Sequence, residues 1–372
     1  MRKILYNDAM KIGLFGGTFN PPHKTHLNMA RMAVEQLGLD KLIVMPCGDP
    51  PHKKTDVNKF ARLDMCKIAF AGIGEVSDYE ITKVGKSYTV DTLTYLREIY
   101  PNDQLYLIIG EDSFRDFEKW YQPQQILQLA TLAVCERGGV DSSQMEQKYL
   151  GKIAKVVFEP NDVSSTEIRL RYNFRLPNDS FVTPDVDEFI IHNDIYGAKR
   201  AVVDKLRTYV TDLRRFQHTY YVVKRGLQLA PSNLKEKAFW ACLLHDCAKN
   251  LPAERYSHYN FEPNGMPRPI IHAFLGALVA QKDFGIDDCE ILDAIRYHCT
   301  ARPNMTELDM LVYVADKTEE TRPFPTEHLL RGSLKDMFIA CLLEANDFCL
   351  TTHGSEMYYL TQDAINFYTK GN

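Results

Sequence analysis

The chain has 372 residues, more than one hydrophobic core usually serves, so two domains of similar size are expected. Hydrophobic residues at 45% and charged residues at 25% are ordinary for a globular protein and exclude extended disorder. A net charge of -5, with basic runs no longer than His52-Lys53-Lys54 and Arg214-Arg215, argues against nucleic acid as a partner.

Residues 10–15 read as a first buried strand, and Gly16-Gly17 then lets the backbone bend close to a ligand. The stretch GGTFNPPHKTH, residues 16–26, turns through Pro21-Pro22 and opens a helix. His23 and His26 are three apart, so they share a helix face beside free amides and the positive dipole end, a setting that attracts phosphate. Neither G-x-x-x-x-G-K-[ST] nor G-x-G-x-x-G occurs here, so this is a different kind of phosphate cradle. A helix to Leu37 and a strand over 41–46 follow. After the basic loop 49–54 come a helix over 59–71, a short strand near 79–81 and a helix over 88–100. A strand over 104–110, a helix over 122–129 and strands over 131–136 and 155–158 complete the series. The alternation predicts a doubly wound parallel sheet with ligands at the carboxyl ends of its strands. Further on, Ser164 and Glu167 have capping-box spacing, which makes Ser164 the cap of a helix headed by Ser165 and Thr166.

The stretch GGTFNPPHKTH resembles the H-x-G-H signature of nucleotidylyltransferases, most closely that of nicotinate mononucleotide adenylyltransferases, with Thr25 where glycine is usual. PPHK at residues 50–53, SYTVDTL at 87–93, LIIGEDSFRDFEKW at 107–120, VSSTEIR at 163–169 and TPDVDEFIIHNDIYG at 183–197 extend the resemblance. It implies a Rossmann-like domain over residues 1–197 and a set of roles. His23, His26 and Arg169 would be catalytic. Gly16, Gly17, Thr18, Phe19, Lys53, Gly110, Asp112, Ser165 and Thr166 would bind nucleotide. Thr89 would take the pyridine carboxylate through its amide, and Trp120 would stack on the nicotinate ring.

From residue 198 onward the apolar spacing is helical almost throughout, which predicts an all-α domain over 198–372. His218, His245, Asp246, His272, His298 and Asp316 each fall in apolar helical segments, the adjacent His245-Asp246 within one running over 237–249. Imidazole and carboxylate from several helices are how bundles hold a first-row divalent ion. The order His, His-Asp, Asp resembles the HD phosphohydrolases. With His272, His298 and the contexts HDCAK and VADKTEETR, it resembles the YqeK-like symmetrical bis(5'-nucleosyl)-tetraphosphatases. That resemblance implies two ions, iron or another first-row metal, with Asp246 central.

The expectation is therefore a bifunctional enzyme. One half would transfer AMP from magnesium-bound ATP to nicotinate mononucleotide. The other would split diadenosine tetraphosphate to ADP. Rival readings change the acceptor, to nicotinamide mononucleotide or a pantetheine phosphate, or make one half a nucleotide-sensing module. No apolar run approaches the roughly 18 residues of a membrane span and no signal-peptide core is seen, so a cytoplasmic protein with no membrane partner is expected. Nine cysteines without C-x-x-C pairs read as reduced, mostly core residues. The oligomeric state is open, a homo-oligomer included.

Overall fold

The computed structural model describes residues 9–50, 55, 57–137, 148–149, 151–159, 163–353 and 357–369. They form two compact units, Met1–Gly197 and Ala198–Asn372. Lys53, expected to bind nucleotide, lies outside the described residues.

The first unit is built on six strands: β1 (Lys11–Gly17), β2 (Lys41–Pro46), β3 (Glu75–Val76), β4 (Gln104–Gly110), β5 (Thr131–Arg137) and β6 (Ile153–Phe158). All pairings are parallel, in the order β3-β2-β1-β4-β5-β6. Its helices are α1 (Lys24–Leu37), α2 (Lys59–Ala69), α3 (Tyr79–Thr82), α4 (Thr89–Ile99), α5 (Glu111–Arg115), α6 (Pro123–Leu129), α7 (Ser165–Asn173) and α8 (Pro184–His192). Alternate residues of each central strand enter different cores, because successive side chains point to opposite sheet faces. Ile12 and Leu14 of β1 join Leu105 and Leu107 of β4 and Leu93 of α4 on one face. Phe15 joins Ile108 of β4, Ala30 of α1 and Met65 of α2 on the other. With both faces covered, the strands read as continuous apolar runs. The order reverses between β1 and β4, the switch point at whose carboxyl ends such sheets bind ligands. The segments that follow β1 and β4 there are GGTFNPPHKTH and GEDSFRDFEKW.

The strand expected near residues 79–81 is a helix, α3, and the true strand β3 lies four residues earlier. Pairing with β2 runs out where Ser77 donates its amide to the Val44 carbonyl. Tyr79 then stacks on Tyr95 of α4 with ring centroids 3.8 Å apart, while Glu80 turns inward and accepts a 2.6 Å bond from Thr92.

The second unit contains α9 (Gly197–Tyr209), α10 (Leu213–Leu229), α11 (Lys235–Leu244), α12 (Arg268–Phe284), α13 (Cys289–Tyr297), α14 (Glu307–Thr318), α15 (Leu334–His353) and α16 (Tyr359–Thr369). No strand occurs among its described residues. Tyr313 of α14, Phe338 of α15 and Tyr368 of α16 anchor one core cluster. The helix expected to continue to residue 249 stops at Leu244 instead. His245 bonds the Cys242 carbonyl through Nδ1 at 2.7 Å, and this side-chain bond competes with the helical ladder. No helix among the described residues is long and apolar enough to cross a membrane.

Candidate functional site

In the first unit, His23 is the N-cap of α1 and His26 sits three residues on, with ring centroids 3.8 Å apart. The His23 amide donates to His26 Nδ1 at 3.2 Å, so the neutral His26 ring carries its proton on Nε2. His23 is 6% exposed, and its Nδ1 is buried without a hydrogen-bond partner among the described residues. Burial pushes the His23 imidazole down to about 4, and burial together with His23 holds His26 well below its usual range. Burial thus favours the neutral form of both rings.

The free amides expected at the start of α1 are partly spent within the protein. Lys24 donates its amide to the Phe181 carbonyl at 2.8 Å, and the His23 amide goes to His26. Of the two glycines, Gly16 is exposed and a Cβ there would meet nothing within 4 Å, as close ligand approach requires. Gly17 answers to packing, since its Cβ would lie 2.9 Å from the Phe19 ring. Thr25 is 6% exposed, so its side chain is folded into the protein.

The start of α7 is docked against this loop. Ser164 caps the helix by accepting the Glu167 amide at 3.1 Å. Ser165 donates to the Pro21 carbonyl at 3.2 Å, and Arg169 donates to the Asn20 carbonyl at 2.7 Å and to Thr166 at 3.1 Å. Residues some 145 positions apart in sequence thus face one cleft, the Arg169 to Asn20 bond alone spanning 149. Thr18 follows β1 directly, and Phe19 packs edge-on to His26 at 5.1 Å.

At the end of β4, Gly110 leads into α5, where the Asp112 carboxylate points outward, 88% exposed and 3.7 Å from Arg115. Trp120 is partly buried, 5.6 Å from the Phe117 ring. The neighbouring Tyr121 ring lies 4.7 Å from Tyr88, which caps α4 just before Thr89. The two segments expected to hold the pyridine ring are thereby brought side by side.

Arg62 carries no signal of its own in the sequence. It is 0% exposed and donates to the Thr18 carbonyl at 2.8 Å and the Gly48 carbonyl at 3.0 Å, tying the loop after β1 to the loop after β2. Its spacing from Met65, Cys66 and Ala69 puts it on the buried face of α2, and that periodicity could have found it.

In the second unit, His218 of α10, His245 after α11, His272 of α12 and His298 after α13 gather around Asp246, and Asp316 of α14 lies against His218 and His245. His218 Nε2 lies 3.2 Å from Asp316 Oδ1 and 3.3 Å from His245 Nε2. Asp246 divides its oxygens, with Oδ1 3.0 Å from His272 Nε2 and 3.6 Å from His298 Nε2, and Oδ2 3.8 Å from His245 Nε2. Three of these rings are held from behind at Nδ1: His218 by Glu319 at 3.1 Å, His245 by the Cys242 carbonyl at 2.7 Å and His298 by the Ile295 carbonyl at 2.7 Å. Such backing sets the tautomer and aims Nε2 at a shared centre, as metal-ligating histidines require. The donor set fits divalent first-row ions. His218, His245 and Asp246 form one candidate group, and His272, His298 and Cys299 another.

Sequence reasoning left Cys299 among the core cysteines, but its sulfur lies 3.2 Å from His298 Nε2 and 3.4 Å from His272 Nε2. It also left three cations unassigned. Lys249 Nζ lies 2.9 Å from His272 and 3.3 Å from Asp246, while Lys317 at 2.8 Å and Arg322 at 2.7 Å hold Asp316. Burial alone would raise both aspartates. For Asp316, Lys317, His218 and Arg322 outweigh it, and for Asp246, His245, His272 and His298 do, so both carboxyls stand well below the usual range.

A cytidylyltransferase-like family model matches residues 14–171, and an HD domain model matches residues 215–321. The chain is 29% identical over 326 residues to a probable nicotinate-nucleotide adenylyltransferase/Ap4A hydrolase of Mycoplasma genitalium, covering 84% of this chain and 88% of that protein. It is 37% identical over 190 residues to the nicotinate-nucleotide adenylyltransferase of Bacillus subtilis, covering 50% of this chain and 98% of that protein. Among solved structures, a predicted HD superfamily hydrolase involved in NAD metabolism from Clostridium acetobutylicum is similar with TM-score 0.40 and 27% identity, over 46% of this chain and 97% of that one. The chain belongs to the nicotinate-nucleotide adenylyltransferase family and joins to that transferase an HD hydrolase domain.

Proposed function

We infer that residues 1–197 transfer AMP from ATP to nicotinate mononucleotide, and that residues 198–372 hydrolyse diadenosine tetraphosphate symmetrically to ADP. The observation that carries the transferase reading is the docking of Arg169 and Ser165 onto the carbonyls of Asn20 and Pro21, which faces two helix starts toward one cleft. In this reaction an oxygen of the acceptor phosphate bonds to the α-phosphorus of ATP as the bond to the β-phosphate oxygen breaks, and pyrophosphate leaves. No protein nucleophile is required. His23, His26 and Arg169 donate hydrogen bonds that strengthen as charge shifts onto the leaving pyrophosphate, with magnesium held mainly by the triphosphate. Gly16 admits the nucleotide, Trp120 stacks on the pyridine ring and the Thr89 amide takes its carboxylate.

The hydrolase reading is carried by four imidazoles gathered around Asp246, with Asp316 against two of them. His218, His245, Asp316 and Asp246 would hold one ion, and His272, His298 and Asp246 a second, iron being the expected metal. Bound divalent ions supply Lewis acidity and neutralise phosphate charge. Lys249, Lys317 and Arg322 would grip the remaining phosphates of the substrate.

Purified protein should release pyrophosphate from ATP with nicotinate mononucleotide, and far less with nicotinamide mononucleotide or a pantetheine phosphate. It should also convert diadenosine tetraphosphate to ADP alone. Equal use of all acceptors, or products AMP plus ATP, would overturn the respective half.

A further inference from the structure

The sulfur of Cys299 occupies a position that neither the core nor a disulfide explains. It is only half-buried, and all nine cysteines of the chain are free. His298 ends α13 with its Nδ1 held by the Ile295 carbonyl, so the next residue is carried round the helix end to the same side as His272. Cys299 Sγ thus meets His272 Nε2 and His298 Nε2, and Asp246 Oδ1 lies against the same two ring nitrogens.

Their spacing can be compared with a tetrahedral ion. Bonds of about 2.3 Å to sulfur and about 2.0 Å to nitrogen or oxygen imply S···N edges of about 3.5 Å and N···O edges of about 3.3 Å. The observed S···N edges are 3.2 and 3.4 Å, and the N···O edges are 3.0 and 3.6 Å. Each of these four edges is within about 0.3 Å of its tetrahedral value. The other subsite, His218, His245, Asp316 and the second oxygen of Asp246, contains no sulfur.

We propose that Cys299 is a thiolate ligand of the second ion of the HD domain, making the pair of subsites chemically unequal: one of nitrogen and oxygen, the other including sulfur. This rests on the reading of that domain as a metal centre. On binding, the sulfur–metal bond forms as the thiol proton passes to solvent, and no redox change is involved. A soft ligand biases that subsite toward zinc, cobalt or ferrous ion over magnesium or manganese. The two subsites are therefore expected to differ in the ion each selects.

Metal-free full-length protein, checked by circular dichroism for retained helix, is titrated with cobalt(II) alone. The wild type should develop a thiolate-to-cobalt charge-transfer band in the near ultraviolet with one of its binding phases. Cys299→Ser should lose that band and weaken that phase at least about tenfold, leaving the other phase unchanged. Cys299→Asp should keep both phases without the band, and Cys289→Ser, at an exposed position, should match the wild type. Two filled phases without a sulfur band in the wild type, or an undiminished band in Cys299→Ser, would overturn the ligand assignment while leaving the metal centre intact. A wild type that binds no cobalt would overturn both.

Discussion

His26 accepts the backbone amide of His23 at its Nδ1, 3.2 Å away, which leaves the proton of the neutral His26 ring on Nε2. In the reaction proposed above, replacing His26 by alanine would remove a donor whose bond strengthens in the transition state. Transferase kcat should fall about a hundredfold or more, with KM changed much less. Steady-state kinetics decide it, and unchanged turnover would remove His26 from the reaction.

His23 also ties stability to pH. Its folded value, pushed down by burial to about 4, lies below the 6.5 of a free histidine. Its contribution is full above about 6.5 and is lost as the unfolded chain takes up a proton that the folded state refuses, on falling toward pH 4. At about 1.4 kcal/mol per unit the loss is on the order of 3 kcal/mol. Urea unfolding between pH 7 and 4 should show a shallower decline for His23→Gln than for the wild type.

Arg62 joins two loops through carbonyl oxygens with its guanidinium wholly buried. Arg62→Ala strands both carbonyls and should cost about 3 kcal/mol in unfolding free energy. The same change should raise KM for ATP, because the Thr18 segment loses its anchor. An unfolding midpoint equal to that of the wild type would show that water replaces the guanidinium without loss.

Trp120→Ala should raise KM for nicotinate mononucleotide while leaving KM for ATP nearly constant, since stacking concerns the pyridine ring alone. Equal weakening of both substrates would make Trp120 a packing residue.

In the HD domain, Asp246→Ala should lose bound metal and dinucleoside hydrolysis together, by a thousandfold or more in order of magnitude, with transferase activity kept. Glu319→Ala, which releases the back of His218 together with the Thr321 amide and hydroxyl, should weaken metal affinity about 10- to 100-fold. Metal content and both activities measured on one preparation separate ligand from support. Full metal retention in Asp246→Ala would remove Asp246 from the centre.

Much of the sheet was legible because both-sided burial turns each central strand into an apolar run bounded by polar or glycine residues, as at 41–46 and 104–110. Two-residue β3 was too short to leave such a pattern, and Tyr79-Glu80-Ile81 imitated a strand although Tyr79 stacks on α4. The histidines of the second unit stood out because imidazoles are rare in apolar helices. Cys299 did not, since one thiol among nine has no spacing to mark it, and only the fold brings it to His272. Arg62 was hidden for the opposite reason: an arginine on a helix is ordinarily solvated, and its burial depends on carbonyls from two distant loops.

His245 and His298 each stop a helix with one ring nitrogen and leave the other aimed at the common centre. The rotameric freedom of these two side chains is consequently removed when the polypeptide folds. Loading would then be a local exchange of protons for metal, fast and reversible, unlike small zinc modules that remain unfolded until metal binds. Chelation should strip the centre while leaving the helices standing.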